Sequence, residues 1–165
     1  MAYSVVPKVR RDGIITLKDG TGTPIELAVA YEEGNFSFSE PKAAQTVIRD
    51  RGTITTVRKG DDEPITGSFT FYFREFTNSV NAGSVRDFID GNGFYSGNVS
   101  TGTSGAPYVE HYAIDMQYQA EGTDFGDDTD HQVTLSKCVC VLDFAEGDPS
   151  QFTLNFTCYG GITAS

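Results

Sequence analysis

Apolar residues recur at every second position along most of this chain, and that period leaves few folds open. Ile25, Leu27, Val29 and Tyr31 alternate with Glu26, Ala28, Ala30 and Glu32. Phe69, Phe71 and Phe73 alternate with Thr70, Tyr72 and Arg74; Tyr112, Ile114, Met116 and Tyr118 alternate with Ala113, Asp115 and Gln117; Phe152, Leu154, Phe156 and Cys158 share one face of a last segment. An extended chain points successive side chains to opposite faces, so each run predicts a strand with one buried face. Shorter runs at 13–18, 36–39, 45–50 and 53–58 follow the same rule, with Arg51-Gly52 as a bend or bulge between the last two. In 131–144 both faces are apolar: Val133, Leu135, Val139 and Val141 point one way, Cys138, Cys140, Leu142 and Phe144 the other. That predicts a central strand covered on both sides.

One short helix interrupts the series. Ser84 is a good N-cap before Val85–Asp90, and Gly91 stands where a left-handed C-cap is needed. Val85, Phe88 and Ile89 would form its apolar face and cover a sheet edge or barrel end. Residues 91–107, rich in Gly, Ser and Thr, are expected to form an exposed, mobile loop. About eight strands and one helix in 165 residues predict an all-β sandwich or barrel in a single domain, 1–165.

The net charge of −11 is unevenly spread. Residues 1–75 are nearly balanced, whereas in 76–165 the only cations, Arg86 and Lys137, face a large excess of carboxylates. Such a chain is repelled by phosphate backbones, which argues against stable nucleic-acid binding and against an anionic membrane surface. No apolar run is long enough for a membrane-spanning helix, and the opening MAYSVVPKVRRD has no signal-peptide core, so folding in a cytoplasm is expected. Cys138, Cys140 and Cys158 lie in apolar segments without metal-ligand spacing and read as reduced, packed thiols. A Cys138–Cys158 bridge would require oxidising surroundings.

Catalytic patterns are thin. His111 and His131 stand at strand beginnings with no nucleophile motif beside them, and no carboxylate dyad stands out in so acidic a chain. The loop Asp124–Asp130 offers oxygen ligands but lacks the order of a calcium loop, and reads as a solvated turn. No metal and no cofactor is expected, and no enzymatic activity.

Residues 40–64 stand out instead. They form a long excursion between two strands that otherwise look like sheet neighbours, and such a length marks a binding loop. Its pieces are β-branched, as ordered strands are. Its charges balance: Arg49, Arg51, Arg58 and Lys59 against Asp50, Asp61, Asp62 and Glu63. A grip on phosphate would keep one sign; mixed charges suit contact with another copy of the same chain.

The order Arg11-Asp-Gly-Ile-Ile-Thr-Leu-Lys-Asp-Gly20, the strand closing in Tyr31-Glu-Glu-Gly34, the excursion with Ile48-Arg-Asp-Arg-Gly52, the Phe-rich strand Gly67–Glu75 and the helix Ser84–Asp90 resemble the tail tube proteins of long-tailed bacteriophages. That family is related in fold to the haemolysin-coregulated protein of type VI secretion. The resemblance implies a β-sandwich or barrel of the tail tube type, with a flanking helix at 84–90 and an extended inter-subunit loop at 40–64. It implies a structural subunit that forms six-fold rings stacked into a hollow tube, found in the virion tail and assembled in the host cytoplasm. Its partners would be further copies of itself and tail terminator, baseplate or tape-measure proteins, with DNA passing without stable binding. Asp115, Gln117 and Gln119, on the polar face of a long strand, are the candidates to face the lumen. A β-sandwich binding module, such as a virion decoration or carbohydrate-binding domain, is the alternative, with the 91–107 loop and tyrosines such as Tyr95 and Tyr108 as contacts.

Overall fold

The computed structural model describes residues 13–22, 26–29, 35–73, 83–120 and 130–165. Its strands are β1 (Gly13–Lys18), β2 (Glu26–Val29), β3 (Ser37–Ser39), β4 (Gln45–Asp50), β5 (Thr53–Lys59), β6 (Ile65–Tyr72), β7 (Ile114–Ala120), β8 (His131–Ala145), β9 (Gln151–Cys158) and β10 (Ile162–Ala164), with one α-helix, α1 (Val85–Asp90). The main sheet runs β2-β1-β7-β8-β9-β6-β3, β10 pairs with β8, and β4 and β5 form a separate two-stranded sheet. Every pairing is antiparallel. The all-β expectation with one short helix is met; β10 is too short to show a period.

The alternation explains the core. Ile15 and Leu17 of β1, Ile114 and Met116 of β7, Phe69 and Phe71 of β6, and Phe152, Leu154, Phe156 and Cys158 of β9 all point to one side and are buried. The sheet curls into a half-barrel around them. Phe36, just before the edge strand β3, stacks on Tyr118 of β7 at 5.2 Å between ring centroids, so that edge returns over the middle of the sheet. α1 closes the same side with Phe88 and Ile89 buried and Val85 half-buried. The Ser84 Oγ accepts the Asp87 N–H at 3.3 Å, and Gly91 takes φ 61°, so both predicted caps are present.

β8 corrects the sequence reading. Ile114 is opposite Cys138 but Met116 is opposite Leu135, so β8 carries one extra residue, a β-bulge, and Lys137 there has φ 57°. The extra residue reverses the phase of everything after it. Leu135 and Cys138, three positions apart, are both buried, and Cys140, Leu142 and Phe144 continue on the core face opposite Phe156, Leu154 and Phe152. Val139 and Val141 turn outward, and Val141 is 59% exposed. β8 is central in the strand order but is not covered on both sides.

The left-handed conformation costs a non-glycine residue about 1–2 kcal/mol, and two sets of hydrogen bonds made by Lys137 offset it. The Asp115 carboxylate accepts the Lys137 N–H at 2.9 Å. The Lys137 ammonium donates to the carbonyls of Ser104 at 2.7 Å, Pro107 at 2.8 Å and Gly105 at 3.3 Å. Further along the same segment, the Ser100 Oγ accepts from Gly102 and Ala113 N–H groups, and Thr101 N–H donates to Ala113 C=O at 2.8 Å. Residues 91–107 are therefore tied down rather than a free loop, wound into short 3-10 turns at Gly93–Tyr95 and Thr101–Thr103.

Candidate functional site

The chain leaves the main sheet after β3 and re-enters it in β6, and those two strands pair directly. The excursion predicted at 40–64 is thus an insertion into a hairpin that a few residues could have closed. Within it β4 and β5 pair only with each other among the described residues. They form an arm that extends on the order of 20 Å at a strand's rise per residue.

The tip is a two-residue turn rather than the expected bend or bulge. Arg51 has φ 48° and Gly52 φ 86°, the double left-handed geometry that matches the twist of a tight hairpin. A register shift follows between Ile48 and Arg49. At the root, Ala44 N–H donates to Asp61 C=O at 3.0 Å and Gly60 N–H to Ala44 C=O at 2.6 Å. A Cβ on Gly60 would stand 3.0 Å from the Ala44 oxygen, so the close approach favours glycine there.

Every residue of β4 and β5 is exposed. Val47 lies opposite Val57 and Arg49 opposite Ile54, so Gln45, Val47, Arg49, Ile54, Val57 and Lys59 share one face. Ile48, Thr46, Asp50, Thr53, Thr56 and Arg58 share the other. Val47, Ile48, Ile54 and Val57 all stand in solvent, Ile54 at 54% exposure. Lys59 pairs with Asp62 at 2.6 Å, whereas among the described residues Arg49, Arg51 and Arg58 have no ion pair. The charges are graded along the arm: Arg49, Asp50 and Arg51 at the tip, Arg58 and Lys59 lower down, and Asp61, Asp62 and Glu63 at the root.

Asp115, Gln117 and Gln119 stand on the opposite face of β7 from the core. Across the sheet they meet Lys18, Thr16 and Ile14 of β1, and Gln117 and Gln119 meet Thr134 and Gln132 of β8. Asp115 is engaged by the bulge, Gln117 is buried, and the Gln119 amide donates to Asp130 at 3.4 Å. The same face continues through Thr153, Asn155 and Thr157 of β9 and Thr66, Ser68 and Thr70 of β6. It is a surface of hydroxyls and amides with few charges, among them Lys18, Asp115 and Asp143.

The three cysteines are free thiols. Cys138 and Cys158 are register partners, and the Tyr159 N–H bond to Lys137 C=O makes them a non-hydrogen-bonded pair, the closer of the two antiparallel spacings. The Cys138 thiol donates to Cys158, which brings Cys158 down to about 7 and holds Cys138 well above its usual value. Burial, with Asp90 nearby, pushes Cys140 up to about 12. Of the tyrosines considered for ligand contact, Tyr95 is buried edge-on against Phe88 at 4.9 Å, and Tyr108 is 63% exposed. The loop considered for calcium lies outside the described residues except for Asp130, and no helix among the described residues is long and apolar enough to cross a membrane.

No protein-family model matches the sequence, and no curated protein does either. Solved structures match its fold along the whole length. One is a chain of the PVC sheath-tube complex in the extended state, from an extracellular contractile injection system, with TM-score 0.60 and 10% identity over 98% of this chain and 93% of that one. The fold is tail-tube-like. Another is a chain of the anti-feeding prophage (AFP) baseplate, symmetrised six-fold, with TM-score 0.56 and 11% identity over 100% of this chain and 97% of that one. At such identities the likeness carries architecture and no residue-level roles.

Proposed function

We propose that this chain is a structural, non-enzymatic subunit of a phage tail tube. It assembles with copies of itself into hexameric rings, and the rings stack into a hollow conduit for DNA in the virion tail. The observation that carries this reading is the arm: a hairpin with every residue exposed and apolar side chains on both faces, built on a body of tail-tube-like fold. Such a hairpin gains its burial from another chain. Arg49, Asp50, Arg51, Arg58, Lys59, Asp61, Asp62 and Glu63 make the inter-subunit contacts. Six-fold closure is supported by the six-fold symmetry of the AFP baseplate.

Asp115, Gln117 and Gln119 face the lumen in this reading, on a sheet face of amides and hydroxyls, while the net charge of −11 keeps phosphate from sticking. The tube's ends meet terminator, baseplate and tape-measure proteins, and assembly takes place in the host cytoplasm. Light scattering on purified protein over a concentration series tests the reading: masses at hexamer and its multiples support it. A monomer that persists at high concentration and binds a glycan points to the binding module instead.

A further inference from the structure

The arm needs a surface to lie on, and the main sheet leaves a long strand edge open. β8 pairs with β9 from Cys138 to Ala145. Its other side pairs with β7 only as far as Cys138, opposite the first residue of β7, Ile114. Past Cys138 that side of β8 has no neighbouring strand among the described residues. Because Cys138 and Cys158 are a non-hydrogen-bonded pair, the backbone N–H and C=O groups of Cys140, Leu142 and Phe144 point away from β9, into the open side. No described backbone group bonds them there. An unpaired edge of this kind is a template for one more strand. Beside it stand Val141 at 59% and Phe144 at 56% exposure, with Phe73 against Phe144 at 5.7 Å.

We propose that this open edge, Val139–Ala145, receives β5 of the arm of a second copy as an added antiparallel strand. The inference rests on the self-assembling reading above and adds the receiving surface and its orientation. β5 spans 7 residues, enough to cover the edge end to end, and its sequence Thr-Ile-Thr-Thr-Val-Arg-Lys has no proline or glycine. An arm exposed at every residue does not occupy its own molecule's edge, so the occupant is another copy.

Charge selects the direction. The Gly60 N–H bond to Ala44 C=O makes Gln45 and Lys59 a non-hydrogen-bonded pair, so Val57 and Lys59 turn their backbone groups away from β4 and fit opposite Leu142 and Cys140. With Thr55 as the extra residue of the arm's bulge, Thr53 then lies beside Ala145 and the tip residue Arg51 arrives at the acidic turn Glu146-Gly147-Asp148. The root carboxylates Asp61 and Asp62 arrive at Lys137, one of the two cations in residues 76–165. The parallel arrangement brings Arg51 against Lys137 and Asp61 against Glu146 and Asp148, like against like at the two extremities, with only Arg58 and Lys59 beside Asp143 and Glu146 to offset it.

In the antiparallel register Thr53 lies beside Ala145, and in the parallel one beside Val139. Thr53→Cys with Ala145→Cys, oxidised and run without reductant, is expected to give a ladder of covalent multimers; Thr53→Cys with Val139→Cys and the single variants are expected to give none. Cys138 and Cys158, at 0% and 1% exposure, are out of reach of the introduced thiols. In a second set, Arg51→Glu alone and Glu146→Lys with Asp148→Lys alone each weaken association by about tenfold or more, and the combined variant recovers it. This set holds if a cysteine variant fails to fold. Assembly of the unsubstituted protein without the ladder and without charge recovery overturns the edge as receptor and leaves the tube reading standing. A protein that stays monomeric in every form overturns both.

Discussion

The arm and the main sheet are built from the same kind of residue and meet opposite fates. In β6, Phe69 and Phe71 alternate with Thr70 and Tyr72, and the apolar set is buried. In β4 and β5 the apolar residues Val47, Ile48, Ile54 and Val57 remain in solvent on both faces. Periodicity therefore specifies a strand and does not specify what covers it. The sheet gets its cover from curling onto itself and from α1. The arm departs from the body at a hydrogen-bonded root and presents edges that no other strand among the described residues pairs, the edges that the proposed assembly would cover.

The sharpest way to break this contrast is to truncate one apolar residue in each region. Phe69→Ala is expected to cost the monomer about 3–5 kcal/mol, whereas Ile54→Ala changes monomer stability by no more than about 0.5 kcal/mol, both read by urea unfolding. Equal costs would mean that the arm is covered by its own chain. Reversing Arg49, Arg51 and Arg58 to Glu together should abolish assembly in a light-scattering assay while leaving the monomer's unfolding midpoint in place. Tubes from that variant would remove the arm from the interface. A smaller effect concerns the bulge that re-phases β8: Lys137→Ala removes the exposed ammonium from three carbonyls and should lower stability by about 1–2 kcal/mol. It should also speed hydrogen exchange in 100–109.

The smallest expected effect is a pH dependence. Burial, with Asp90 nearby, pushes the Cys140 thiol from its ordinary value near 9 up to about 12 in the folded chain. A raised acid stabilises the fold fully below the unfolded value, and this contribution is lost as pH rises from about 9 toward 12. Cys140→Ala should therefore lose less stability than the parent between pH 8 and pH 11. Parallel curves would place this thiol in water.

The strands, both helix caps and the insertion at 40–64 are legible in the sequence because each is a local signal: a period of two, a Ser or Gly at a helix end, a connection too long for the strands it joins. The phase of β8 is not. An extra residue in a strand is defined only by its partner, and β7 lies far enough away in sequence that alternation alone counts Val139 and Val141 on the same face as Leu135. Residues 91–107 read as free for a related reason, since the ammonium that gathers Ser104, Gly105 and Pro107 comes from Lys137, about thirty positions on. For the candidate site, composition marks the arm and its balanced charge; the tight turn at Arg51-Gly52, the pairing of Val47 with Val57 and the open edge of β8 emerge only with the register.

Negative-stain electron microscopy of the purified protein beside its Arg49, Arg51 and Arg58 to Glu variant tests the central claim most directly. Six-fold rings or hollow rods are expected from the parent and isolated particles from the variant. Isolated monomers from the parent at high concentration, or rods from both proteins, would contradict it.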